Sequence, residues 1–287
     1  MSLTNRFGRY LKTVSAAVLG KTPAGRGLTV LPDDIFLVSY FRSGSTWSRF
    51  LFGNLVHQNT QVTFTNMERL VPTIYNLPDR ILRGFPRVLK SHECFDPRYP
   101  RVIYIVRDPR DVAVSFYYFN LKVGVIPDGY PMDEFVSRFV AANVVGYADR
   151  VGCWQDHVLS WVRLRESKPG FRLVRYEDLL TDPTRELTNL APMLGIDPTP
   201  ARVERAVRLS SAAHMQSLEK EQSLKWVTTK NSRQDIRFVR EAKAGGWRQK
   251  LSPISVRTIE QVWGGTMKEL GYELVMDAGA DRTLVRN

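Results

Sequence analysis

Cysteine is nearly absent from this chain. Its 287 residues hold two, Cys94 and Cys153, far apart and without CxxC spacing. That excludes a disulfide framework and a thiolate zinc site, and the expectation is two free thiols in a reducing compartment. Histidine is scarce at four residues, and no cluster with metal-ligand spacing stands out. Long hydrophobic runs are missing. The basic start holds only the short stretch Val14–Leu19, poor for a secretory signal and too short to cross a bilayer. Residues 1–30 read as a leader capable at most of weak contact with a membrane surface, and the expected location is the cytoplasm. Repeats and low-complexity tracts are also lacking. Acidic residues are outnumbered, 29 against 41 basic, and the net charge of +12 predicts an anionic partner.

The remaining composition is ordinary, with 43% apolar and 24% charged residues. The length suits one α/β domain over 31–275, followed by a flexible tail over 276–287. Ile35–Tyr40, Val88–Lys90, Arg101–Val106 and Phe171–Tyr176 read as strands. Ser45–His57, Pro109–Leu121, Met132–Gly146, Trp154–Glu166 and Pro183–Leu194 read as helices between them. Alternation of this kind predicts a central parallel β-sheet flanked by helices. Beyond residue 195 only helices are expected, at Pro200–Leu209 and Ser255–Leu270. The polar, basic, poorly periodic stretch 216–246 reads as a lid or cofactor loop.

The most informative stretch is Phe41-Arg42-Ser43-Gly44-Ser45-Thr46-Trp47. A strand ends in a turn carrying one Arg, three hydroxyls and one Gly, and a helix begins. Free N–H groups at a helix N-terminus, a glycine permitting close approach and hydroxyl donors together make an anion cradle. The plainer reading is a helix cap with incidental polarity. The loop lacks the Lys of a Walker A motif.

Arg107-Asp108-Pro109-Arg110-Asp111 repeats the plan of strand, charged loop and helix, with Ser115 eight residues after Arg107. Such loops gather at the carboxyl ends of parallel strands. Arg107 therefore belongs to a second anion site in the same crevice, unless it is spent on a salt bridge to Asp108 or Asp111. Lys90-Ser91-His92-Glu93 follows the short second strand, which makes His92 the candidate general base and Lys90 a cation beside developing charge. Glu93 is a second candidate base. His57, His157 and His214 read as structural.

Taken together these residues resemble the sulfotransferases that use 3′-phosphoadenosine 5′-phosphosulfate (PAPS). The loop Phe41–Trp47 is similar to that family's Pro-Lys-Ser-Gly-Thr-Thr-Trp, and Arg107–Asp111 with Ser115 to its 3′-phosphate element. Lys90-Ser91-His92 is similar to Lys-Thr-His, Tyr176-Glu177-Asp178 to Tyr-Glu-Asp, and Ser210-Ser211 with Met215 to an adenine-side motif. The resemblance implies a P-loop-kinase-like sulfotransferase fold and the EC 2.8.2 class of activity. It implies that Arg42, Ser43, Gly44, Ser45 and Thr46 hold the 5′-phosphosulfate and that Arg107 and Ser115 hold the 3′-phosphate. Trp47, Tyr176 and Ser210 would meet adenine, although Trp47 also reads as a core residue. His92 would take the acceptor proton in an in-line transfer that Arg42 and Lys90 assist, and the product is 3′,5′-ADP. No metal is required by this plan. The acceptor is expected to be a small molecule with hydrophobic bulk and a hydroxyl or amine, contacted from 62–84, 120–131, 147–153 and 216–243. Phe64, Ile74, Tyr75, Leu77, Phe119, Tyr130 and Trp226 are the candidates there.

The chain departs from the pattern in three places. Arg42 replaces Lys. In the C-terminal cofactor motif Arg240 aligns, but Glu241 and Ala242 replace Lys and Gly, which leaves Lys243 as a substitute one turn away. The family's dimer motif is not kept: Arg248, Ser252, Pro253 and Arg257 fill its slots, so no such dimer is expected. Two other readings compete. A P-loop-type kinase needs the missing loop Lys. A nucleic-acid-binding protein is suggested by the basic charge, but no basic helix face or binding module stands out, and no nucleic-acid partner is expected.

Overall fold

The structure, a computed structural model, describes residues 29–75, 87–144 and 151–275. Residues 1–28 of the expected leader, the tail after 275, Leu77 and parts of two expected acceptor-side segments lie outside the described residues.

Four strands, β1 (Ile35–Ser39), β2 (Val88–Ser91), β3 (Arg101–Val106) and β4 (Phe171–Arg175), form one parallel sheet in the order β2-β1-β3-β4. The apolar runs of β1 and β3 follow from burial on both faces. Phe36, Val38, Val102 and Tyr104 enter one core cluster, while Ile35, Leu37, Ile103 and Ile105 enter the other. The strand order reverses at β1: β2 is added on one side of it and β3 on the other. A crevice at the carboxyl ends of β1 and β3 is where such sheets bind ligands.

The helix Ser45–Val56 follows β1, and Pro109–Lys122 follows β3. Asp108 caps the second, accepting from the Arg110 N–H, and Pro109 suits its first turn. Helix Tyr176–Thr181 follows β4 directly. The helix Pro253–Glu269 packs on Met132–Val140 behind the sheet.

Three expected elements differ from those observed. The helix from Met132 ends at Val140, because Ala142 takes a left-handed conformation (φ 54°) that breaks it. Pro183–Leu194 is α-helical only to Leu190 and continues as a 3-10 turn, since Pro192 has no N–H to carry the α ladder. The stretch taken as irregular from 216 begins as helix: Ala212–Gln222 is α-helical, with Ser211 capping the His214 N–H at 3.3 Å.

Residues 223–245 lie across the mouth of the crevice, held by side chains that grip their backbone. Lys122 Nζ donates to the Arg233 and Ile236 carbonyls at 2.7 and 2.6 Å. The Glu219 carboxylate accepts the Phe238 and Val239 N–H groups at 2.5 and 2.9 Å. Asp111 accepts those of Gly245 and Trp247 at 2.7 and 2.9 Å.

Candidate active site

A cavity of about 660 Å³ opens at the carboxyl ends of β1, β2 and β3. Its wall includes Arg42, Gly44, Ser45, Thr46 and Trp47 from the first loop, Arg107 and Ser115 from the second, Lys90 and His92 after β2, and Tyr176, Ser210 and Arg240. Residues far apart in sequence are thus brought together.

The first loop turns sharply. Arg42 (φ 62°) and Gly44 (φ 97°) both adopt left-handed conformations. At Gly44 the glycine is obligatory on two counts. The backbone disfavours any L side chain, and a Cβ would lie 2.5 Å from the Tyr176 ring. Between them Ser43 departs from expectation. Unlike its neighbours it is not among the residues lining the cavity. It is fully buried, its hydroxyl lacks a partner, and its N–H points back at the Tyr40 carbonyl. Ser45 and Thr46 do face the cavity at the start of their helix.

Arg42 joins the two anion loops. Its Nε donates to Ser115 Oγ at 3.2 Å, and its guanidinium lies 4.7 Å from the Phe119 ring centre and 4.6 Å from that of Phe238. Such stacking suits a planar cation and not an ammonium. Arg107 makes neither of the salt bridges that would have tied it up. Its guanidinium stacks on Tyr176 at 4.2 Å and donates to the Arg42 and Lys243 carbonyls at 3.4 and 3.2 Å, with Asp111 and Glu177 feeling its charge without a direct ion pair. The neighbouring acids are used elsewhere. Asp108 pairs with Arg110, and Asp111 holds the Gly245 and Trp247 N–H groups. Glu177 accepts from the Asp108 N–H at 3.0 Å and from the Tyr272 hydroxyl at 3.1 Å.

Trp47 stands between the cavity and the core. The indole lines the cavity and lies edge-on to Tyr176 at 5.4 Å, while its Nε1–H donates to the Ser210 carbonyl at 2.9 Å. The Ser210 hydroxyl is buried and accepts from Asn54. Arg240 stacks on Tyr118 at 4.1 Å. Lys243 lines the wall but is paired with Glu241 at 2.8 Å.

His92 is buried at the cavity wall with its tautomer fixed. The Ser39 carbonyl can only accept, so Nδ1 carries the proton and donates at 2.6 Å. Nε2 is left as the lone-pair nitrogen. Burial first, then the nearby Lys90 charge, hold the ring well below the usual imidazole value and keep it neutral. His157 is a prop: its Nε2–H donates to the His92 carbonyl at 3.1 Å, and the Tyr104 hydroxyl donates to its Nδ1 at 2.7 Å. Burial, with the Arg49 charge second, brings the Lys90 ammonium down to about 7, against an opposing contribution from Glu68.

Of the expected acceptor contacts, Tyr75, Phe119 and Trp226 line the cavity. Phe64 and Ile74 are buried in the core instead, Phe64 against the Phe50 and Trp226 rings and Ile74 in the cluster on one face of the sheet. Tyr130 is turned to Glu134, where its hydroxyl donates. Among the described residues, no group of three or more His, Cys, Asp or Glu is arranged to hold a metal ion. No helix there is long and apolar enough to cross a membrane.

Comparison with known proteins gives this arrangement a family. The sulfotransferase domain matches residues 32–271, and the chain belongs to that family. It is thereby a transferase of the sulfotransferase class. Human sulfotransferase 1E1 is 27% identical over 258 residues, covering 83% of this chain and 85% of the relative. The rabbit (Oryctolagus cuniculus) amine sulfotransferase is 22% identical over 261 residues, covering 85% and 84%. Among solved structures, mouse sulfotransferase SULT7A1 complexed with PAP superposes with a TM-score of 0.64 at 24% identity, covering 88% of this chain and 91% of that one. Retinol dehydratase in complex with androsterone and PAP gives 0.70 at 19% identity, covering 87% and 84%.

Proposed function

We propose that this protein transfers the sulfuryl group of PAPS to a hydroxyl or amine of a small acceptor with hydrophobic bulk, with His92 as general base. One observation carries the reading: two separate arginine sites and a neutral imidazole with a free lone pair share a single cavity. A ligand with phosphate groups at both ends needs two cationic sites, and the acceptor needs a proton acceptor in the same cavity, on the side of the sulfuryl group opposite the leaving oxygen. The donor set fits the nucleotide on the structure's own terms. Arg107 makes no direct ion pair and has a buried Nε without a partner, and Tyr176 and Trp47 offer aromatic surface between the loops. PAP in the complexes of SULT7A1 and retinol dehydratase supports the same ligand, and androsterone in the latter supports an acceptor with apolar bulk.

Bound there, PAPS supplies an activated sulfuryl group whose leaving oxygen belongs to the 5′-phosphate. Transfer of this kind is mainly positioning and charge stabilisation. Ser45, Thr46 and the N–H groups of their helix receive the 5′ end, with Arg42 beside them. Arg107, Ser115 and Arg240 receive the 3′-phosphate, and Trp47 and Tyr176 clasp the adenine. His92 Nε2 accepts the acceptor's proton, while Lys90 places positive charge beside the transferring group. Tyr75, Phe119 and Trp226 give the acceptor its apolar wall.

Incubation with ³⁵S-labelled PAPS and a panel of hydroxylated and amine acceptors tests this. Labelled product and stoichiometric 3′,5′-ADP are expected without added metal. Absence of calorimetric binding of 3′,5′-ADP would overturn the reading. Transfer of phosphate from ATP in place of sulfate would favour a kinase.

A further inference from the structure

The cavity wall behind Lys90 holds a charged pair for which the proposed reaction has no use. Arg49 follows Ser45 by one helical turn, so it lies on the same helix face as the anion loop. It is 5% exposed, and its NH2 stands 2.9 Å from Glu68 Oε1. Its Nε donates to the Val71 carbonyl at 2.7 Å and its NH2 to that of Met67 at 3.2 Å. Glu68 Oε2 accepts the Thr73 N–H at 3.1 Å. The segment Pro72–Ile74 then runs along the outer edge of β2: the Lys90 N–H donates to the Pro72 carbonyl at 2.8 Å, and the Ile74 N–H to that of Lys90 at 3.0 Å. One ion pair therefore ties the helix of the anion loop, the turn Met67–Leu70 and the backbone around Lys90 into a single unit.

We propose that Arg49 and Glu68 are positioning residues for sulfuryl transfer, holding Lys90 against the anion loop and setting, by their opposed charges, the pH range in which its side chain is a cation. This rests on Lys90 acting at the transferring group. The charged and titratable groups facing Lys90 are Arg49 from the helix Ser45–Val56, Glu68 from the turn, Tyr75 with its ring centre 5.6 Å from Nζ, and His92 on its own strand's exit. Burial does most to bring the ammonium down to about 7; on top of it Arg49 disfavours the charged form and Glu68 favours it, so each partner can move the ammonium about neutrality in its own direction. Protonated, it donates hydrogen bonds to developing negative charge. Deprotonated, it has lost that charge, and the rate falls on the alkaline side.

The test reads Lys90 directly. The full chain, labelled with ¹³Cε-lysine, is titrated by NMR without donor or acceptor, with Lys90→Arg used to assign the resonance. Glu68→Gln is expected to move the midpoint down by about half a pH unit or more, and Arg49→Met up by a similar amount. Arg49→Lys, which keeps the charge, returns it toward the wild-type value. The alkaline limb of kcat/KM should move with each midpoint. Midpoints that stay put or move together, in variants whose thermal melts show a folded chain, would reduce the pair to a structural tie and overturn the proposal. Should Arg49→Met fail to fold, Glu68→Gln alone decides. Failure of the sulfotransferase reading is separate: it leaves the wild type without sulfated product whatever the midpoints do.

Discussion

Arg42 Nε donates to Ser115 Oγ, 3.2 Å apart, so the loop after β1 is joined to the helix after β3 by a side-chain hydrogen bond, beside the one from Arg107 to the Arg42 carbonyl. The same guanidinium is clasped between Phe119 of the helix and Phe238 of the covering segment. Loss of the group should therefore be felt at both ends of a bisphosphate. Arg42→Met is expected to weaken 3′,5′-ADP binding tenfold or more, about 1.4 kcal/mol, and Ser115→Ala by a few-fold. Arg42→Lys keeps the charge but not the planar stack and should fall between wild type and Arg42→Met. Calorimetry that finds Arg42→Met binding as tightly as wild type would place the anion elsewhere.

Gly44→Ala should be among the most damaging single-methyl changes in the chain. The residue has φ 97°, and the new Cβ would meet the Tyr176 ring at 2.5 Å. Backbone strain and collision together should cost about 2 kcal/mol or more, lowering Tm by roughly 4 °C or more in a domain of this size. A melt within about 1 °C of wild type would mean that Tyr176 is not packed as described.

His92→Ala should lower kcat by about 10²–10⁴-fold while bisphosphate binding survives. The pH profile carries a sign. Burial depresses the folded ring's pKa, so the neutral, proton-accepting form persists to lower pH than in an ordinary histidine. The acid limb of kcat/KM should accordingly lie below about 6.5 and vanish in His92→Gln. An acid limb retained unchanged in that variant would transfer the base role to another group, with Glu93 the first to examine.

Charge reversal at Arg240 should weaken 3′,5′-ADP binding by at least tenfold, about 1.4 kcal/mol. Its partner ring, Tyr118, is stacked and not acidic, so no compensating ion pair is lost with it. Binding at wild-type strength would remove the residue from the nucleotide site.

Asp111→Ala leaves the Gly245 and Trp247 N–H groups without their acceptor. Such losses cost about 1–3 kcal/mol when the groups stay buried. Limited proteolysis should then cut faster within 223–245, and the KM for donor should rise. An unchanged cleavage pattern would mean that the other clamps suffice.

Much of this was legible in the sequence because it is local. Apolar runs doubly buried in a parallel sheet show no alternation, and β3 appears at the expected bounds, Arg101–Val106. The loop–helix junctions after β1 and β3 are legible for the same reason: Gly44, Pro109 and the hydroxyls act within a few residues. What escaped depends on partners remote in the chain. Nothing near Ser43 says that it is buried off the cavity wall, and the left-handed φ of Arg42 beside it is an uncommon choice for a residue with a Cβ. Asp111 appeared as a rival partner for Arg107, whereas it grips a backbone 134 residues away at Gly245. Glu177 appeared only as part of Tyr-Glu-Asp, and its work is to join Asp108 to Tyr272. Arg49 and Glu68 gave no signal at all, because an ion pair between a helix and a short turn leaves no periodicity.

Lys122, Glu219 and Asp111 fasten the covering segment through its amides and carbonyls, alongside the side-chain anchors Trp226, Phe238 and Arg240. Every residue type except proline offers the same amide and carbonyl groups. Val227 and Val239 of the strap help to line the cavity. The strap thus carries two kinds of side chain: an exposed one such as Val227 can be exchanged while the amide clamps hold, whereas Phe238 and Arg240 are tied to Arg42 and Tyr118 and cannot be changed without disturbing the wall beside them.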